Sequence, residues 1–220
     1  MIERTPEPDL MNDITQAEAY AATDFSEPHD AFARMFSERF PDFESGAVLD
    51  LGCGTADVIV RFARMYPYTS ITGIDGAGAM LSIAKKEIKQ ERLSERIKLH
   101  KCILPDNELS LTKFDAVISN SLLHHLKDPI VMWDTIKKCA KENAPVFAMD
   151  LMRPESEVRA GELLEMHASD APEILQKDFY NSLLASYTLD EVKEQLKDSG
   201  LSNLTVEAVS DRHLIVWERK

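Results

Sequence analysis

The stretch Ala47-Val48-Leu49-Asp50-Leu51-Gly52-Cys53-Gly54-Thr55-Ala56-Asp57 carries an apolar strand through a glycine-spaced turn into a helix. Glycines in such a turn expose backbone N–H groups and let a ligand approach where a Cβ would obstruct it. A dinucleotide site wants a third glycine where the helix admits a pyrophosphate, which is position 57 here. The residue is Asp57, an anion that repels a pyrophosphate but suits a sulfonium or ammonium group. The nicotinamide-dinucleotide reading loses on that residue.

Working outward, the patterns alternate. A helix from about Thr55 to Tyr66 leads to SITGID (70–75), a helix from about Ala77 to Gln90 and RIKLHK (96–101). FDAVIS (114–119), a helix from about Pro129 to Lys141 and APVFAMD (144–150) continue the series. Apolar strands separated by helices of this length predict right-handed βαβ units and a mainly parallel sheet covered on both faces. The final third predicts helices near 155–169, 172–185 and 189–198, with Thr188 and Glu191 as a capping box and Gly200 as the residue that ends the last helix. SNLTVEAV (202–209) and RHLIVWE (212–218) read as a closing hairpin that adds an antiparallel strand. Before the first strand, Phe32, Met35, Phe36 and Phe40 form one apolar helical stripe in a segment punctuated by Pro6, Pro8 and Pro28.

The chain of 220 residues suits one domain, or one domain with an added lid. Its 25 basic and 38 acidic residues give a net charge of −13, which works against an encounter with nucleic-acid phosphates. Cys53, Cys102 and Cys139 are widely spaced and odd in number, so neither a disulfide framework nor a zinc cage is indicated. No apolar run approaches a membrane span, and the acidic start is unlike a signal peptide, so a cytoplasmic protein is expected. Asp75 closes the second strand, where a carboxylate can accept hydrogen bonds from both hydroxyls of an adenosine ribose or cap the helix that follows.

VLDLGCGTAD (48–57), ITGIDGAGAMLSIAKK (71–86), CILPDN (102–107) and FDAVISNSLLHHLKDP (114–129) together resemble the class I S-adenosylmethionine-dependent methyltransferases, in their small-molecule branch. The resemblance covers about residues 45–150 closely and the hairpin in outline. It implies an α/β, Rossmann-like three-layer sandwich whose mainly parallel seven-stranded sheet has an antiparallel last strand. It also implies S-adenosylmethionine as cofactor, with S-adenosylhomocysteine as product. Carried over, Asp50, Gly52, Cys53 and Gly54 form the methionine-moiety loop, Asp75 holds the ribose, and Gly76 and Ala77 approach the adenosine. Ile103 and Leu104 lie near the adenine, and Asn120 and Ser121 face the reactive methyl. The family's loop often ends in a third glycine, and this chain has Ala56 there.

Other residues carry open readings. His124 and His125 can take a proton from an acceptor, or simply pack and cap a loop beside Asp128 and Pro129. Neighbouring histidines without further spaced ligands imply no metal. Arg153 can pin an acceptor carboxylate or phosphate, or pair with Asp150 or a lid acid. Tyr20, Phe25 and His29 can line the acceptor site or be plain core. Residues 1–44 are expected to form a helical lid over residues 45–220, the alternative being a brace packed on the sheet. Sulfonium methyl transfer needs alignment, exclusion of water and deprotonation rather than a triad. The expected acceptor is a small molecule of unassigned nucleophilic atom, with no membrane or nucleic-acid partner and with a homodimer left open. A regulatory adenosine-cofactor binder, or a methyltransferase acting on RNA or protein, remains as the alternative.

Overall fold

In the computed structural model, which describes residues 2–7, 12–106, 108–109 and 112–218, β1 (Ser45–Leu51) is the centre from which the sheet grows both ways. Pro8 and Asn107, singled out in the sequence, lie outside the described residues. One way run β2 (Tyr68–Asp75) and β3 (Ile97–Lys101); the other way run β4 (Ala116–Asn120), β5 (Val146–Leu151), β7 (His213–Glu218) and β6 (Leu204–Ala208). The strand order is 3-2-1-4-5-7-6, and β7 runs opposite to the other six strands. Strand order therefore reverses between β1 and β4, and ligands of open α/β sheets bind outside the carboxyl ends of strands at such a reversal.

Strand side chains alternate between two cores, as the pleat requires. Val48, Ile71, Ile118 and Phe147 face α3 (Asp57–Met65) and α4 (Gly78–Gln90), whereas Leu49, Leu51, Ile74 and Val117 face α5 (Ile130–Cys139) and α8 (Leu189–Asp198). Every residue of β5 is buried, as expected of a strand covered on both faces. The predicted capping box exists: Thr188 N–H donates to Glu191 Oε2 at 2.8 Å and Glu191 N–H donates to Thr188 Oγ1 at 3.3 Å. Gly200 adopts φ 69° just past α8, where Leu201 N–H donates to the carbonyl of Leu196 at 2.7 Å.

The N-terminal segment divides its work. In α2 (Ser26–Arg39), Phe32 and Phe36 are fully buried, and with Phe40 they join the same core as Phe62 and Phe147. That stripe therefore completes the sheet's core instead of covering its carboxyl edge. The physical reason is contact: Phe32 and Phe36 meet the rings of Phe62 and Phe147 on the α3 face of the sheet. By contrast α1 (Ile14–Ala22) rests Ala17 on Ala77 and Met80 at the start of α4, and Gln16 donates to Asp178 at 2.7 Å on α7 (Glu173–Ala185). With α6 (Glu157–Ala168), α7 packs on Leu151 through Ala160, Leu163 and Leu183.

Candidate functional site

At the end of β1 the chain turns on Gly52 (φ 75°), and the N–H groups of Gly52 and Cys53 both donate to the carbonyl of Ile74 at 2.9 Å, pinning the loop to β2. A Cβ on Gly52 would stand 3.0 Å from the Leu122 side chain, tighter than ordinary contact, so crowding adds to the preference for glycine that its φ sets. Ala56, at the place of a third glycine, has φ 73° and no exposure. A left-handed alanine costs roughly 1 kcal/mol, offset here by burial of its methyl group. The Cys53 side chain turns into the core, where a Cβ added to Gly73 would meet it at 3.0 Å. Of the loop residues expected to touch a ligand, Cys53 offers only its backbone.

Asp75 bridges the loop and the next helix: Oδ2 accepts from Gly54 N–H at 2.9 Å and Oδ1 accepts from Ala77 N–H at 2.7 Å. The cap reading and the ligand reading are thus compatible, because each carboxylate oxygen keeps a second lone pair. Gly76 and Ile103 stand on the same edge, where the chain leaves β3 with Cys102 N–H bonded to the carbonyl of Asp75 at 3.0 Å. Ile103 is 64% exposed, an apolar surface awaiting cover, while Leu104 leans into the α5-side core.

Two acceptors in this region have no hydrogen-bond partner among the described residues, Asp50 Oδ1 and Asn120 Oδ1. Their strands are neighbours, Asp50 standing opposite Ile118, two residues before Asn120. Burial, and after it the charge of Asp75, pushes the Asp50 carboxyl up to about 8. Ser121, next in the chain, is held at φ 55°, and such backbone strain gathers at ligand sites.

Tyr20, Phe25 and His29 come together as the sequence grouped them. Tyr20 stacks on Phe25 at 4.6 Å between centroids, and Phe25 meets His29 at 5.6 Å. Beyond them, His29 Nδ1 bonds to Asp57, which also accepts from Arg61 at 3.0 Å. Burial alone would raise the Asp57 carboxyl, but His29 and Arg61 hold it down at about 2. Its charge is therefore shared with two partners rather than left free for a cationic ligand. Burial and the nearby Asp57 raise the Tyr20 phenol to about 12, so it stays a neutral donor.

The histidines after β4 sit in a single 3₁₀ turn, residues 123–125. His124 is buried, with Nδ1 at 2.5 Å from Asp150 Oδ1; His125 Nδ1 lies 2.6 Å from Glu7 Oε2. Each is held by a carboxylate. Burial disfavours the charged His124 ring, but the Asp150 charge and hydrogen bond outweigh it and raise its pKa. Glu7, which burial would raise, is held at about 2 chiefly by His125. Arg153 takes the ion-pair option: its guanidinium lies 2.5 Å from Glu191 and 3.1 Å from the carbonyl of Ser186, tying β5 to α8. It is engaged in holding the helices and not open to an acceptor.

Arg4 and Glu7 were not among the sequence candidates. Arg4 donates to the carbonyls of His124 at 2.8 Å and Leu126 at 3.0 Å and lies over the Tyr187 ring. Nothing local in the sequence couples position 4 to position 124; only the folded edge brings them together. A pocket of about 540 Å³ opens between the end of α1 (Ala19, Thr23, Asp24) and the α6–α7 turn (Met166, His167, Asp170).

Comparison with known proteins agrees with this geometry. Residues 49–146 match the family model described as a methyltransferase domain. A malonyl-[acyl-carrier protein] O-methyltransferase of Priestia megaterium is 28% identical over 134 residues, 60% of this chain and 44% of that protein. A release factor glutamine methyltransferase of Rhodopirellula baltica is 34% identical over 82 residues, 37% of this chain and 28% of that protein. The chain thus spans less than half the length of these curated relatives. Among solved structures, a SAM dependent methyltransferase from Aquifex aeolicus superposes with a TM-score of 0.64 at 19% identity, covering 93% of this chain and 97% of that one. A plantazolicin methyltransferase in complex with SAH gives 0.67 at 14% identity, covering 94% and 89%. At such identities these structures share the fold. No helix among the described residues is long and apolar enough to cross a membrane.

Proposed function

We propose that this chain, whose residues 49–146 match a methyltransferase-domain model, is a methyltransferase of the class I S-adenosylmethionine-dependent type that binds S-adenosylmethionine along β1, β2 and β4 and methylates a small-molecule acceptor. The observation that carries the reading is Asp50 Oδ1, a buried acceptor without a partner among the described residues, at the end of the strand that turns on Gly52 at φ 75°. A buried carboxyl left unpaired is costly, and a ligand ammonium removes the cost. S-adenosylmethionine supplies that ammonium together with an already activated methyl group.

The chain's residues divide the rest of the task. Gly52 and Gly54 leave room for the ligand, Asp50 and Asn120 offer acceptors to its methionine end, and Asp75 accepts from the ribose. Ile103 and Leu104 cover the base, with Gly76 and Ala77 beside it. Ser121 borders the space where the acceptor meets the methyl. The Tyr20–Phe25 pair on α1 and its exit excludes water, while α2 stays in the core. The chain's charge of −13 favours a small molecule over an RNA. A carboxylate holds Nδ1 of His124 and of His125, which leaves each Nε2 unengaged by that bond, and no general base is assigned to either.

The test uses Asp50. With its carboxyl at about 8, most of the chain carries a proton there at pH 7, and pairing with an ammonium expels it. S-adenosylhomocysteine binding measured calorimetrically at pH 7 in buffers of different ionisation enthalpy is expected to release close to one proton. Because the ionised form binds, affinity should rise up to about tenfold from pH 6 to pH 7. Asp50→Asn should remove both effects. Binding without proton release, and without this rise, would leave Asp50 unpaired and the reading unsupported.

A further inference from the structure

The N-terminal segment 2–7 crosses the 3₁₀ turn at the carboxyl edge of β4 and is fixed there by several bonds. Arg4 binds the carbonyls of His124 and Leu126, and Thr5 N–H donates to the carbonyl of Leu184 at 3.0 Å. This crossing delivers Glu7 to the histidines: Oε2 lies 2.6 Å from His125 Nδ1, and Oε1 accepts from Ser182 Oγ at 2.6 Å. The His124 and His125 rings lie 4.1 Å apart between centroids. One ligand-type atom from each of Glu7, His124 and His125 falls within 4.8 Å of the others.

We propose that Glu7, His124 and His125 bind one divalent transition-metal ion, with Zn²⁺ the best match. Two imidazoles and a carboxylate are the ligand types that suit it, and three protein ligands leave a fourth position open. Ligands of a tetrahedral ion at ~2.0–2.1 Å stand ~3.4 Å apart, so small side-chain rotations close the set. Orientation from behind distinguishes the cluster from a casual ion pair. Asp150 holds His124 by Nδ1, which leaves Nε2 as the coordinating nitrogen, and Ser182 holds Glu7 by its other oxygen. Carboxylate–histidine–metal sites are built with this second layer of support. The side chains are enclosed, His124 at 3% exposure, Glu7 at 13% and His125 at 26%. A shared cation lets two neighbouring neutral rings serve together. The third ligand lies 117 residues before His124, beyond the reach of any local spacing motif.

The experiment strips the full chain with chelator, removes the chelator, and titrates Zn²⁺ against a competing fluorescent chelator, with Co²⁺ as the spectroscopic probe. One ion per chain is expected, with a visible Co²⁺ spectrum of imidazole–carboxylate type. Glu7→Gln and His125→Ala should each weaken Zn²⁺ binding at least ~100-fold while S-adenosylhomocysteine still binds. Ser182→Ala should weaken it by ~10-fold or more, as loss of a supporting bond does. His167→Ala, at the separate pair with Asp211, should change nothing. Absent Zn²⁺ binding, or binding undiminished in the Glu7→Gln/His125→Ala double variant, overturns the proposal. None of these readouts depends on methyl transfer.

Discussion

Replacing Phe36 by alanine is expected to destabilise the fold by ~3–5 kcal/mol, the range for emptying a buried aromatic site. Phe36 has no exposure and is ringed by Phe40, Phe43, Phe62, Tyr66 and Phe147 at centroid distances of 4.9 to 5.9 Å. Such a loss takes a large share of the ~5–15 kcal/mol typical of a domain. Urea unfolding followed by circular dichroism measures it. A loss under ~1 kcal/mol would mean that α2 is a detachable cover after all, and the aromatic contacts would not be the ones that hold the molecule together.

The second large effect lies at Asp75. Asp75→Ala should weaken S-adenosylhomocysteine binding by ~100-fold or more, because hydrogen bonds to a charged group are worth ~1.5–3 kcal/mol each. The substitution removes the proposed ribose acceptor and also releases Gly54 N–H and Ala77 N–H, which the carboxylate now joins. Asp75→Asn keeps one acceptor oxygen and should fall between. Stability is expected to fall as well, since Gly54 is half-buried and Ala77 is buried, so the released Ala77 N–H loses its partner inside the fold. Equal affinity in a folded Asp75→Ala variant would place the ribose elsewhere.

What was legible in the sequence follows from the range of the forces involved. The alternation of apolar strands and helices is a local pattern, so β1 to β5 and the closing hairpin could be read with ends within about two residues. Local chemistry likewise marked the Thr188 capping box and the glycine turn. The stripe of Phe32, Phe36 and Phe40 was visible as a buried face, but its destination was not, because periodicity says that a face packs and not against what. The same limit applies at the site. Asp57 was legible as an anion, whereas its neutralising partner His29 is 28 residues away and belongs to another helix. Arg153 could be seen as a pairing residue but its choice of Glu191 is made by the docking of α8. Glu7 at the histidine turn is the extreme case, a contact created wholly by chain crossing.

The central claim is that the edge formed by β1, β2 and β4 binds S-adenosylmethionine and its product. Titration calorimetry of the purified chain with S-adenosylhomocysteine, and in parallel with NAD, tests it most directly. A single saturable site for S-adenosylhomocysteine with no heat from NAD is the expected result; tight NAD binding with none for S-adenosylhomocysteine would contradict it.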